Sequence, residues 1–209
     1  MTNKIENVEI NFFNKFFQNH KNIDKTKLKI TTEGIYSVSG YKSANYLCYL
    51  IKKYFKNNNI TITDGTGNNG TDTIAFGLNF NNINSIEIDD VNYKVLKNNV
   101  NVYELTNVKL FKGSSLKIIP TLIQDVIFID APWTKNYKEK ETIRLFMDNI
   151  EISEIFNNFK KYTKLFIFKV PTNYDFNYFT KNTNATKYSI IAYRNKNRIV
   201  FYYIFISVK

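Results

Sequence analysis

The sequence predicts an α/β chain: a mostly parallel sheet of seven strands, closed by a C-terminal antiparallel hairpin and preceded by a helical N-terminal extension. Three observations predict it. From residue 59, apolar runs of strand length alternate with longer stretches of helical periodicity. The first run, Ile60–Asp64, empties into a Gly/Asn-rich turn, Gly65-Thr66-Gly67-Asn68-Asn69-Gly70. The last two runs, Lys187–Arg194 and Ile199–Val208, are β-rich and separated only by Asn195-Lys196-Asn197-Arg198, as a hairpin requires.

Taken in order, residues 8 to 19 carry Val8, Ile10, Phe12, Phe13, Phe16 and Phe17 as a helix-like stripe. Lys25 to Val38 reads as a polar connector with a short apolar close. Tyr41, Ala44, Leu47, Cys48, Ile51 and Phe55 share one face of a helix over 41–55. Strands are expected at 60–64, 84–88, 107–111, 125–130 and 164–169, with helices near 71–79, 90–103, 115–123 and 147–161. Five strand–helix units closed by a hairpin are the outline of a Rossmann-like methyltransferase, whereas a dinucleotide oxidoreductase more often continues with a sixth parallel strand. No repeat or Pro/Ser-rich linker divides the chain. The expected organisation is therefore an N-terminal helical extension over 1–40 and one Rossmann-like domain over 41–209.

Composition narrows the partners. The 209 residues are 44% hydrophobic and 16% aromatic, enough for a sizeable core, and the formal net charge is +11. That balance favours an anionic partner such as nucleic acid, although the Asn/Lys/Ile bias of an AT-rich genome produces lysines as well. Cys48 is the single cysteine and His20 the single histidine. A disulfide, a zinc cluster or His-based chemistry is therefore not expected, and no metal is. No apolar leader and no membrane-length run is present, so the chain reads as intracellular, cytoplasmic or nuclear, and as a monomer.

Four places carry candidate chemistry. Glycines at 65, 67 and 70 let the backbone approach a ligand closely, and Asn68 suits a left-handed position. Asp64 before this turn and Asp72 after it would repel a pyrophosphate, so a nucleoside cofactor without phosphate fits better. Glu87 stands at the end of the second strand, about twenty residues past the turn, where an acid holds a ribose diol. Asp89 or Asp90 then caps the next helix. Ser114, after the third strand, is placed to meet an adenine amino group or to cap a helix. Finally, Val126-Ile127-Phe128-Ile129 runs into Asp130-Ala131-Pro132-Trp133. A carboxylate on a Pro-stiffened turn can accept the protons of a planar amine and aim its lone pair, while the neighbouring Trp stacks on the base. A cationic base such as 7-methylguanine would stack more strongly, by about 1–2 kcal/mol. Together the two turns suggest methyl transfer to an exocyclic amine. The loop Thr134-Lys135-Asn136-Tyr137-Lys138 suits a phosphate chain.

In order and spacing these residues resemble trimethylguanosine synthase, the RNA cap guanine-N2 methyltransferase family of class I S-adenosylmethionine-dependent methyltransferases. The likeness runs from about Lys29 to the C-terminus. It includes Glu33-Gly34-Ile35-Tyr36-Ser37-Val38, Asp64 to Phe76, Ile86-Glu87-Ile88-Asp89 with Asn98-Asn99, Asp130-Ala131-Pro132-Trp133 with Tyr137, and Val170-Pro171-Thr172-Asn173-Tyr174-Asp175. The resemblance implies S-adenosylmethionine (SAM) as cofactor, with Tyr36, Asp64, Gly65, Gly70, Glu87, Ser114 and Asp130 around it. It implies an m7G-capped RNA as partner. Asp130 and Pro132 would orient the N2 amine, Trp133 would stack on the base with Tyr137 nearby, and Lys29, Lys135 and Asn173 would meet the phosphates. The chain departs from the family pattern at Asn68, Ser114, Thr172 and Asp130-Ala131. Two other readings use the same residues: an adenine-N6 methyltransferase on DNA or RNA, and a non-catalytic RNA- or cap-binding subunit.

Overall fold

The computed structural model describes residues 2–21, 23–134 and 136–208. Its internal packing divides it into a first unit, Met1–Ile118, and a second, Ile119–Lys209.

The first unit opens with β1 (Ile5–Glu6), α1 (Ile10–Phe16), β2 (Ile30–Thr31) and α2 (Gly34–Ser37). β1 and β2 pair antiparallel through Ile5–Thr31 and Glu6–Ile30. Among the described residues, helix in the N-terminal segment is thus confined to α1, α2 and one 3-10 turn at Lys25–Lys27, shorter than the stripe over 8–19 suggests. Phe13 and Phe17 of that stripe nonetheless reach a core, while Ile10 is exposed. Phe13, Phe17, Leu28 and Ile30 are buried against Ile74, Leu96, Val100 and Tyr103.

The long helix α3 (Tyr41–Phe55) buries Ala44, Leu47, Cys48 and Ile51, the expected face, and ends where Lys56 turns left-handed at φ 60°. Burial pushes the Cys48 thiol pKa up, consistent with a core residue. Then β3 (Thr61–Asp64), α4 (Thr71–Asn79), β4 (Asn82–Glu87), α5 (Asp90–Val102), β5 (Val108–Lys112) and α6 (Ser115–Ile118) alternate as expected. β3, β4 and β5 are parallel neighbours in that order, with Asp64 opposite Ser85 and Glu87 opposite Lys112. The helix expected over 115–123 is only four residues long. Pro120 cannot supply the next amide, and the chain continues as a 3-10 turn over Ile119–Thr121.

The second unit holds β6 (Val126–Ile129), β7 (Phe146–Met147), β8 (Ile150–Glu151), α7 (Ile152–Phe159), β9 (Leu165–Pro171), α8 (Phe176–Asn182), β10 (Tyr188–Asn195) and β11 (Arg198–Ser207). β6 and β9 are parallel, β11 is antiparallel to β9, and β10 forms the expected hairpin with β11. Apart from the short pairs β1–β2 and β7–β8, three strands in the first unit and four in the second make the seven expected.

The helix expected from residue 147 begins instead at Ile152. Asp148 and Asn149 both take positive φ, 47° and 65°, and reverse the chain between β7 and β8. Glu151 then caps the helix, its Oε2 accepting from Ser153 N at 2.7 Å. α8 lies outside the expected helices; its start is fixed by Asp175, whose Oδ1 accepts from Tyr178 N at 2.9 Å.

Candidate active site

In the first unit the glycine-rich turn is braced from inside. Asp64 is fully buried; its Oδ1 accepts from Thr66 N at 3.1 Å and its Oδ2 from Thr73 Oγ1 at 2.6 Å. Thr73 Oγ1 also lies 2.8 Å from Ser85 Oγ. Asp64 thus ties the turn to α4 and β4. Asn68 takes the left-handed position, φ 46°, and Gly70 opens α4 at φ 94°. Gly67 is required by packing, since a Cβ there would stand 2.6 Å from Ser85 Oγ.

Glu87 closes the turn from the far side. Its Oε2 accepts from Asn68 N at 2.7 Å and its Oε1 from Asp89 N at 2.8 Å. Burial pushes its carboxyl pKa up, while the amides of Asp89 and Asn68 work against that shift. Asp89 takes the cap of α5, its Oδ1 accepting from Val91 N and Asn92 N, both at 2.9 Å. Asp90 pairs with Lys112 instead.

Ser114 is half-buried, and its carbonyl accepts from Lys117 N and Ile118 N, which places it at the start of α6. The next residue, Ser115, donates through Oγ to the carbonyl of Gly65 and so ties α6 to the buried turn. Tyr36 on α2 is 87% exposed. Its neighbour Ser37 accepts through Oγ from Asn68 Nδ2 at 2.9 Å. Lys29 is exposed at its side chain, while its backbone is gripped by Asn99: N donates to Oδ1 and O accepts from Nδ2, each at 2.9 Å.

That grip belongs to an asparagine network of which the sequence motifs mark Asn69 and Asn99 but not the contacts between them. Asn69, Asn92 and Asn99 are all buried. Asn69 Oδ1 accepts from Thr31 N at 2.7 Å, and its Nδ2 donates to Thr31 Oγ1 at 3.0 Å and Asn92 Oδ1 at 3.1 Å. Asn99 Nδ2 donates to Asn69 O at 2.8 Å. The N-terminal segment is therefore laced to the glycine-rich turn and α5. The chain does carry a signal for it: Asn92 and Asn99 share the helical stripe of Val95 and Leu96. A cleft of about 470 Å³ lies near Asn45, Lys52 and Asn79, at the end of α4 away from the turn, and takes no part.

In the second unit, β6 delivers Asp130 at its end, half-buried, and the pleat brings it to Lys169 on β9. Lys169 Nζ meets Asp130 Oδ2 at 2.6 Å, and the lysine side chain is only 6% exposed. The same ammonium stands 5.6 Å from the Trp133 ring centroid and 4.9 Å from that of Phe201. Tyr137 meets Trp133 edge-on at 5.1 Å. Pro132 is exposed, and Trp133 is half-buried with its indole N–H enclosed and unpartnered among the described residues. Asn173 donates through Nδ2 to Tyr137 O at 2.6 Å and Lys140 O at 2.9 Å, pinning the loop after Trp133. Its Oδ1 is buried without a partner among the described residues. Lys135 lies outside the described residues.

The second unit thus brings together Asp130, Trp133 and Tyr137, all expected, and adds Lys169, which no motif singles out. Its only sequence signal is a lone charge inside the apolar run Leu165–Pro171. Chemically, this half offers an anionic hydrogen-bond acceptor beside an aromatic face. Among the described residues there is no group of three His, Cys, Asp or Glu placed to hold a metal, and no helix long and apolar enough to cross a membrane.

Comparison with known proteins places this arrangement. Uncharacterized protein L320 of Acanthamoeba polyphaga mimivirus is 32% identical over 126 residues, which are 57% of this chain and 49% of that protein. The chain therefore spans about half the length of that relative. Among solved structures, a Porphyromonas gingivalis W83 protein assigned as a methyltransferase superposes with a TM-score of 0.62 at 17% identity, covering 82% of this chain and 41% of its own. A Klebsiella pneumoniae protein assigned as an O-methyltransferase gives 0.58 at 14% identity, covering 83% of each chain. These likenesses show a Rossmann-like methyltransferase fold. A family model, RNA cap guanine-N2 methyltransferase, matches residues 59–209. Strand by strand, the glycine-rich turn, Glu87 and the Asp130–Trp133 turn all fall inside that match, and the chain belongs to the RNA cap guanine-N2 methyltransferase family.

Proposed function

We propose that this chain methylates the N2 amine of the 7-methylguanosine cap of RNA. The observation that carries the reading is the pair Asp130 and Trp133 at the end of β6, a carboxylate beside the chain's single tryptophan. S-adenosylmethionine is the methyl donor of this methyltransferase, and when bound it supplies an electrophilic methyl group on a sulfonium. The residues of the first unit fit it. The turn before α4 offers carboxylates and amides but no cationic side chain, which suits a ligand without phosphate. Glu87 keeps lone pairs beyond its two amide bonds and can accept the hydroxyls of a ribose. Gly65, Gly70, Ser114 and Tyr36 are assigned to the same ligand, with Asp64 bracing the turn.

In the second unit, Trp133 stacks on the methylated base and Asp130 accepts the amine protons. Pro132 stiffens the turn between them. With the methyl that the bound donor would supply going to the amine nitrogen, Asp130 takes the surplus amine proton and passes it to water. Tyr137 supports Trp133, and Asn173 positions the loop that meets the phosphates, with Lys29 and Lys135 as further phosphate ligands.

The test compares labelled-methyl transfer to m7GpppN-ended, GpppN-ended and uncapped RNA. The expected result is transfer mainly to the first, because the cationic ring adds cation–π attraction to stacking. Equal transfer to the first two overturns the reading. Transfer to the uncapped RNA supports methylation of adenine N6 instead.

A further inference from the structure

We infer that Lys169 is a positioning residue for this reaction, holding Asp130 as a fixed, ionised carboxylate against the ring seat of Trp133. The inference rests on the proposed reading for its substrate, but not for the contact itself. The strand register dictates that contact. Ile129 pairs with Phe168 in the parallel β6–β9 ladder, so Asp130 and Lys169 are the next residues along. Lysine is almost never buried unless paired, and here it sits in a strand whose other residues, Leu165 to Phe168, Val170 and Pro171, are apolar and buried. An apolar residue would pack there at no charge cost, so packing alone gives no reason for an ammonium.

Three neighbours bear on what the ammonium does. It bonds Asp130 Oδ2 and stands over the rings of Trp133 and Phe201. An opposite charge at this distance favours the carboxylate form, which only accepts hydrogen bonds. A protonated Asp130 would present a donor to an amine that is itself a donor. Lys169 thus keeps the amine acceptor in the useful state and anchors it by one oxygen. Titratable or charged groups that the described contacts bring near the pair in the second unit include Tyr203, opposite Lys169 on β11, and Tyr137 with Lys138 on the loop after Trp133.

Trp133, the only tryptophan, reports on this pair without any substrate. The experiment is a fluorescence titration from pH 3 to 8 on wild type, Lys169→Met, Lys169→Arg and Asp130→Asn, with circular dichroism in parallel to mark the folded range. Wild type should show its acid transition below the ~3.9 of an unperturbed Asp. Lys169→Met should raise the midpoint by about one to three pH units, Lys169→Arg should restore it, and Asp130→Asn should abolish it. A wild-type midpoint at or above the ordinary value overturns the inference even if a variant fails to fold. So does a folded Lys169→Met with an unmoved midpoint. Turnover on m7GpppG-capped RNA is measured alongside. Lys169→Met should lose tenfold or more in kcat at pH 6 with the KM for SAM unchanged. If wild type methylates no capped RNA while the fluorescence midpoints behave as stated, the substrate reading fails and the hold of Lys169 on Asp130 stands.

Discussion

The main-chain amide of Asn68 donates to Glu87 Oε2 at 2.7 Å, so the acid best placed for a ribose is also the clasp that closes the glycine-rich turn onto β4. On the proposed reading, cofactor binding and turn geometry share one carboxylate. Replacing Glu87 with Ala should weaken SAM by about ten- to hundredfold, the loss of a charged acceptor at about 1.5–3 kcal/mol. Calorimetric titration of SAM checks this, and an unchanged affinity would show that the clasp alone is its role.

The same residue makes a pH prediction. Burial raises the Glu87 carboxyl above its usual range. An acid raised on folding binds more protons in the native state, so its stabilising share is full below the unfolded value and is lost as pH rises through the folded one. Glu87→Gln does not titrate. The stability deficit of that variant relative to wild type should therefore shrink between pH 4 and pH 7. Urea midpoints at the two pH values test the sign.

Asn69 binds the N-terminal segment to the turn through Thr31, and Gly34 makes room for it: a Cβ on Gly34 would stand 2.4 Å from Asn69 Oδ1. Asn69→Ala leaves the Thr31 amide and the Asn92 carbonyl buried with one partner fewer. About 2–6 kcal/mol of stability should be lost, from two groups at about 1–3 kcal/mol each. Gly34→Ala should cost about 1–3 kcal/mol by forcing the same amide aside. Equilibrium denaturation of the two variants and the pair checks this, and because both act on one contact their effects should not add.

Much of this arrangement is legible in the sequence because it is local. Thr61–Asp64 followed by three glycines reads directly as a strand and turn, and the left-handed Asn68 follows from asparagine's own conformational tolerance. The capping role of Asp89 is equally local. Lys169 is not legible in the same way. A charge in an apolar run says that something must neutralise it, but the partner stands 39 residues away and is chosen by strand register. The asparagine network is hidden for the same reason, since Asn69 and Thr31 meet across 38 residues. The β7–β8 reversal is local and still escapes the helical pattern. Asp148-Asn149 is a turn signal that the flanking periodicity of Ile152–Phe159 conceals.

Trp133→Ala should separate the two ligands. Loss of a stacking face costs about 1–3 kcal/mol per base, so m7GpppG affinity should fall by about five- to hundredfold while SAM affinity holds. Calorimetry with each ligand decides it. A parallel loss of SAM would mean that Trp133 supports the fold rather than the base.

The positive charge of the chain is unevenly placed. Residues 160–209 hold ten Lys or Arg and one acid, Asp175. Three of those cations, Arg194, Lys196 and Arg198, are exposed at the β10–β11 turn. The pairing of Phe201 with Pro171 places that turn beyond the end of β9, on the sheet edge where Lys169 and Asp130 meet. At about 3.3 Å per residue, Arg198 reaches about 10 Å past the end of β9. Such a turn suits the backbone of an RNA whose first base is held at Trp133. Changing all three cations to Ser should weaken capped RNA and reduce the slope of log K against log salt by about two, since each single-strand phosphate that a cation neutralises adds about 0.7 to that slope. Binding of the isolated m7GpppG dinucleotide and of SAM should change little. Filter binding at 50 to 200 mM salt reads the slope directly, and an unchanged slope would place the RNA track elsewhere on the molecule.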